Sequence, residues 1–194
     1  SKTNVGITSA TAAASPICAS ATTTVTANGV TGTNAVVTWY TGAGGTGTNL
    51  GTGATKTVGP GTYYARVTGD CGTAVEASVT VTGDSPLAGL TISPSANPIC
   101  QGTALGLTAT NFSGATYSWN GPGSYTATGQ SITRNSIQES TGEGAYTVTA
   151  TNTCGNISAN VTINVHTAIP GIINVVYYSP YPGSPVSALC QGNN

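Results

Sequence analysis

The sequence predicts an all-β chain of tandem β-sandwiches, and three observations carry that expectation. One order of residues is written twice: Cys18, Trp39, Gly61-Thr62-Tyr63 and Cys71-Gly72, then Cys100, Trp119, Gly144-Ala145-Tyr146 and Cys154-Gly155. Apart from Leu and Pro the chain favours Thr and small or β-branched residues, which suit a pleated, half-buried surface. Period-two alternation closes each copy, while helical periodicity is found nowhere. A repeat of about 82 residues divides the 194-residue chain into units at 1–83 and 84–167 and a remainder at 168–194.

Taken in chain order, the first strand signals of each copy flank its Trp. Trp39 lies in Ala35 to Tyr40 and Trp119 in Thr116 to Asn120, each a strand of one sheet. Asn28-Gly29 is the sharpest hairpin signal between strands, because both residues accept a positive φ. Tyr63 to Thr68 and Ala145 to Thr151 set Tyr63, Ala65 and Val67, or Tyr146, Val148 and Ala150, on one face. Val75 to Thr82 and Ile157 to Val165 follow, with the odd positions facing a core. Gly83-Asp84-Ser85-Pro86 and His166 to Gly171 read as short linkers, each leading into a new first strand, Leu90 to Ser93 and Ile172 to Tyr178. Short strands at Greek-key spacing with Cys, Trp and Cys in that order describe an immunoglobulin-like sandwich.

Five cysteines without metal-ligand spacing point to disulfides and an oxidising compartment. Four of them allow three pairings, and repetition selects Cys18 with Cys71 and Cys100 with Cys154, one bridge inside each domain. If the strand runs on unbroken, Cys71 and Cys154 share the inner parity of the preceding strand, as such a bridge requires. The fifth, Cys190, opens a third copy, since Ala188-Leu189-Cys190-Gln191-Gly192 echoes Pro98-Ile99-Cys100-Gln101-Gly102.

Charge excludes several classes of partner. Four Lys or Arg and five Asp or Glu make the chain 5% charged, against about 25% in ordinary soluble domains. Lys2, Lys56, Arg66 and Arg134 form no basic patch, which argues against nucleic acid and anionic membranes. No stretch approaches the roughly 18 apolar residues of a membrane span, and Ser1-Lys2-Thr3-Asn4 is not a signal peptide. Hydration falls to Thr, Ser, Asn and Gly, or to sugars attached to them.

Several segments resemble one known group. Ser15-Pro16-Ile17-Cys18, Thr38-Trp39-Tyr40-Thr41-Gly42, Gly61 to Val67 and Ser118-Trp119-Asn120-Gly121-Pro122-Gly123 are similar to the immunoglobulin-like and PKD-like tandem repeats of secreted Bacteroidetes surface adhesins, gliding-motility adhesins among them. The resemblance covers nearly all of both units. It implies an extracellular or cell-surface array serving as stalk, adhesin or fibre, with no catalytic residues and no cofactor. One departure is the Tyr, which precedes the second Cys by eight residues instead of two and so speaks against an antibody-type tyrosine corner.

Candidate chemistry is sparse. Gly42-Ala43-Gly44-Gly45-Thr46-Gly47 fits a dinucleotide fingerprint in letters, but Asn49 to Pro60 offers neither the helix nor the acid that phosphate and ribose need, so it reads as a loop. Asp70, Glu76, Asp84, Glu139 and Glu143 are the only acids, and only the last two are close in sequence, in a Gly- and Ser-rich loop. His166, the sole histidine, faces outward at a linker and forms no triad or metal set. Tyr40, Tyr64, Tyr125, Tyr177, Tyr178 and Tyr181 could stack on sugar rings but are scattered between the units. Asn111, Asn156 and Asn160 head glycosylation sequons. The β-prone run Ile172, Ile173, Asn174, Val175, Val176, Tyr177, Tyr178 reads either as the first strand of a third repeat or as a donor strand for another subunit, with Cys190 available for an intermolecular bridge. The expectation is a non-enzymatic repeat unit of an extracellular fibre or adhesin that self-associates and carries glycans. An array of carbohydrate-binding modules directed at a surface polysaccharide is the alternative.

Overall fold

Within the described residues the alternating segments become strands. The computed structural model describes residues 1–167, and the chain forms two units, Ser1–Pro86 with Thr153–Gly155, and Leu87–Asn152 continuing from Asn156. The first unit contains β1 (Ser9–Ala12), β2 (Ile17–Cys18), β3 (Thr23–Asn28), β4 (Val36–Gly42), β5 (Thr46–Thr52), β6 (Thr55–Val58), β7 (Gly61–Thr68), β8 (Val75–Val81) and β9 (Gly83–Asp84). The second contains β10 (Ile92–Pro94), β11 (Ile99–Cys100), β12 (Leu105–Ala109), β13 (Thr116–Gly121), β14 (Tyr125–Thr128), β15 (Ser131–Arg134), a short helix α1 (Glu139–Gly142), β16 (Gly144–Asn152), β17 (Gly155–Ile163) and β18 (Val165–His166).

The repeat in sequence is a repeat in topology. Sheets β1-β3-β6 and β5-β4-β7-β8 sandwich one core, and β10-β12-β15 and β14-β13-β16-β17 sandwich another. A parallel pair, β2-β9 or β11-β18, closes each unit, with Cys18 opposite Asp84 and Cys100 opposite His166. Each unit is thus an immunoglobulin-like sandwich, whose inner faces supply the buried residues. Val25, Trp39, Ala65 and Val67 are fully buried in the first, and Leu105, Tyr146, Val148, Ala150 and Ile163 in the second. The edge strands β8 and β17 keep the expected parity, yet only Val81 and Ile163 in them are fully covered, because an edge strand packs against one neighbour only.

The indole of each Trp is pinned in the same way. Trp39 Nε1 donates to the Gly53 carbonyl at 3.0 Å, and Trp119 Nε1 to the Gly129 carbonyl at 2.8 Å. A buried N–H thereby keeps its hydrogen bond while the rings fill the core. The tyrosines also act alike: Tyr63 donates its hydroxyl to the Gly59 carbonyl at 3.0 Å and Tyr146 to the Gly142 carbonyl at 2.9 Å. Each reaches back four residues, which is what a tyrosine corner does, so the spacing argument against that corner is corrected. The cysteine, not the tyrosine, has moved.

Local readings are corrected at three further points. Glu139–Gly142 forms one helical turn inside a segment expected to be loop, too short to show periodicity in sequence. Asn28-Gly29 does not join hairpin partners, since β3 and β4 belong to different sheets. Its Gly29 adopts φ 63° and passes against Thr8, where a Cβ would collide with the hydroxyl. Gly83-Asp84, read as linker, is strand β9, and His166 likewise lies in β18.

The intradomain disulfides are overturned. Cys18 bonds Cys154, with Cα atoms 4.7 Å apart, Cys71 carries a free thiol, and Cys100 is disulfide-bonded. Strand length is the reason. β7 ends at Thr68, so Cys71 sits in the turn before β8, whereas Cys18 pairs with Asp84 beyond the far end of β8. Seven residues of strand hold those ends roughly 20 Å apart at ~3.3 Å per residue, and a disulfide spans at most about 7 Å between Cα atoms. Cys100 and Cys154 are likewise kept apart by the longer β17. Cys190 and the candidate donor strand, Ile172, Ile173, Val175, Val176, Tyr177 and Tyr178, lie outside the described residues, as does Tyr181.

Candidate functional site

Among the described residues two places gather chemistry: the cysteine ends of the parallel pairs, and one outward sheet face. At the first, Ala19 N donates to the Asp84 carbonyl at 2.9 Å and fixes the backbone around Cys18. The Asp84 carboxylate accepts from both Thr153 N at 3.2 Å and Thr153 Oγ1 at 2.8 Å. The turn Thr153–Gly155 is therefore held by a bond and two hydrogen bonds to adjacent residues, Cys18 and Asp84. The corresponding ladder at Cys100 has the same form, Gln101 N donating to the His166 carbonyl at 2.9 Å. The corresponding turn at Cys71 does not: its thiol donates to Asn4 Oδ1 at 3.1 Å, and its carbonyl accepts from Val5 N at 3.1 Å.

The outward face belongs to sheet β5-β4-β7-β8. Tyr40 and Tyr64 stand directly opposite each other on β4 and β7, with Asn49 across from Tyr40 on β5. Arg66 and Glu76 are opposite each other on β7 and β8, and Glu76 accepts from Gly44 N at 3.2 and 3.0 Å. Two of the scattered tyrosines are thus brought together, on one unit only, because the second unit has Asn120 opposite Thr147 at the matching step. Sequence spacing gave no sign of that pairing, which depends on register. Gly42 to Gly47 is the β4–β5 turn, as expected of a loop.

Several of the remaining charged and aromatic side chains are engaged in structure. Arg134 donates to the Pro122 carbonyl at 3.0 Å, to Tyr146 Oη at 2.8 Å and to the Thr141 carbonyl at 2.7 Å, and its guanidinium lies 4.8 Å from the Tyr125 ring centre. Tyr125 meets Tyr146 edge to face at 6.1 Å. Burial pushes the Tyr146 hydroxyl above its usual pKa, and the Arg134 contact offsets part of that. Glu143 caps β18 by accepting from Val165 N at 2.9 Å. Asp70 accepts from Asn34 Nδ2 at 3.0 Å and pairs with Lys2 at 3.2 Å. Glu139 opens α1, so the two neighbouring acids serve different elements. His166 is exposed, as are Asn111, Asn156 and Asn160. Among the described residues no group of three His, Cys, Asp or Glu side chains could hold a metal, and no helix is long and apolar enough to cross a membrane.

No family model matches the chain and no curated protein sequence is similar to it. Solved structures are similar in shape. The crystal structure of murine CEACAM1b matches at a TM-score of 0.57 and 12% identity, over 81% of this chain and 99% of that one. A structure addressing Dscam isoform specificity matches at a TM-score of 0.50 and 13% identity, over 86% of this chain and 47% of that one. Identities this low carry the fold and nothing finer. The likeness shows a chain of immunoglobulin-like β-sandwiches.

Proposed function

We propose that this chain is a non-enzymatic structural repeat unit of an extracellular fibre or cell-surface adhesin. One observation carries the reading: the Cys18–Cys154 bond ties the first cysteine of one sequence repeat to the second cysteine of the next. Such a bond staples an array, and it belongs in an oxidising compartment. The side chains that would serve catalysis elsewhere are spent here on capping and packing, as at Glu143, Glu76 and Arg134. Exposed Asn111, Asn156 and Asn160, together with Thr-rich faces, are the places for glycans that would hydrate a nearly uncharged surface. Residues 1–83 and 84–167 act as the repeat units, and residues 168–194 as the segment that continues the array or enters a neighbour. The resemblance to Bacteroidetes surface adhesins supports the same setting.

Electron microscopy of the native material tests the reading. Fibres with a repeat near the length of two sandwiches are expected. Isolated particles under every condition would overturn it.

The Tyr40–Tyr64 pair with Asn49 beside it favours a second reading, binding of a surface polysaccharide on that face. Saturable binding to a polysaccharide panel, lost in both Tyr40→Ala and Tyr64→Ala, is the result that would establish it. Binding that ignores both substitutions would remove it.

A further inference from the structure

We infer that Cys71 is the covalent joint between copies, forming a head-to-tail disulfide with Cys100 of a second copy of this chain. The inference rests on the array reading above and names the bond that would extend it. Cys71 is equivalent to Cys154, since each follows the Gly-x-Tyr strand and precedes Gly. Cys100 is equivalent to Cys18, since each lies in a two-residue strand on the same parallel ladder, opposite His166 and Asp84 respectively. Cys18 and Cys154 are bonded. The same joint repeated between molecules pairs Cys71 with Cys100.

A second observation agrees with this pairing. In the existing joint the residue opposite the first cysteine, Asp84, accepts hydrogen bonds from Thr153, the residue before the second. At the equivalent positions of the joint between copies stand His166 and Asp70, both exposed, and the Asn34 and Lys2 contacts of Asp70 both fall on Oδ2, which leaves Oδ1 to accept. Donor and acceptor have exchanged sides, but they remain complementary: an imidazole faces a carboxylate. An arrangement with two carboxylates or two cations there would have opposed the contact.

The chemistry needs no added oxidant. Cys71 loses the proton it now shares with Asn4, and its thiolate attacks the Cys100 sulfur. The Cys71–Cys100 bond forms as the bond from Cys100 to its present partner breaks, and the departing thiolate takes up a proton. One disulfide is consumed and one is made. Because the surfaces joined are different on the two copies, the contact is heterologous and propagates into a filament or closes into a ring.

The test is disulfide mapping of the purified protein, prepared as an equal mixture of nitrogen-14 and nitrogen-15 material and incubated in a glutathione redox buffer. Digestion with pepsin at acid pH freezes exchange and cuts between Cys71 and Cys100. Expected are a ladder of multimers on a non-reducing gel, collapsed by dithiothreitol, and mixed-isotope Cys71–Cys100 peptides. Cys71→Ser should abolish the ladder while leaving the Cys18–Cys154 peptide intact. His166→Asp should lower multimer yield several-fold, and adding Asp70→His should restore it. Fibres seen by microscopy with Cys71 fully alkylatable, or a ladder that survives Cys71→Ser, would overturn the joint and leave the array reading standing. Linked dimers without fibres would support the joint and overturn the array.

Discussion

At the scale of single residues, the two aromatic anchors do the same work in each unit, and both leave measurable signatures. Trp119→Phe removes the donor to the Gly129 carbonyl and opens space in a filled core. The expected loss is about 2 kcal/mol or more in urea denaturation, combining a small cavity with an orphaned acceptor. Tyr146→Phe keeps the ring and deletes only the hydroxyl that bridges the Gly142 carbonyl and Arg134. About 1–2 kcal/mol should be lost at neutral pH. The raised pKa of Tyr146 adds a pH signature. The folded state holds that proton more tightly than the unfolded one, so its contribution is complete below the ordinary tyrosine value of about 10 and falls as pH rises through the folded value. A stability profile taken upward from neutral pH should therefore lose part of its alkaline decline in Tyr146→Phe. An unchanged alkaline limb would count against burial as the cause.

At the scale of elements, strand length decided the cysteine pairing. The sequence contained the clue in the eight-residue offset from Tyr to Cys, which carries the cysteine past the end of β7 or β16. Tyr63 and Tyr146 nonetheless occupy corner positions, while the second cysteine of each repeat lies in the turn past the strand and not in the sandwich interior. The bond formed instead joins residues 136 apart in sequence, worth about 5 kcal/mol in the chain-entropy model. Cys154→Ser should lower the denaturation midpoint by a large fraction of that amount under non-reducing conditions, with no such loss from Cys71→Ser. Equal losses from the two substitutions would contradict the pairing. The tyrosine platform illustrates the same limit, because only the register of β4 on β7 sets Tyr40 against Tyr64.

At the scale of the whole molecule, the scarcity of charge predicts a fold whose stability responds little to salt. Among the described residues Lys2 and Asp70 form an ion pair, and it is exposed. Such pairs contribute about 0–1 kcal/mol. The unfolding midpoint of the single chain should accordingly shift little between dilute buffer and ~1 M salt, where the Debye length falls to about 3 Å. A strong salt dependence would mean that charge holds the fold after all. Stability comes from the two packed cores and from disulfide bonding, and hydration from hydroxyls and amides.

The sequence by itself determined the fold class, the repeat, the inward parity of the strands and the burial of both tryptophans, because each follows from local alternation and from side-chain size. It also showed how scarce and scattered the charges are. Only the tertiary structure decided which cysteines meet, that Tyr63 and Tyr146 form their corners, and that Asp84 faces Thr153. Those relations depend on where strands end and how they register across a sheet. Residues far apart in the chain become neighbours through strand geometry, which no single stretch of sequence contains.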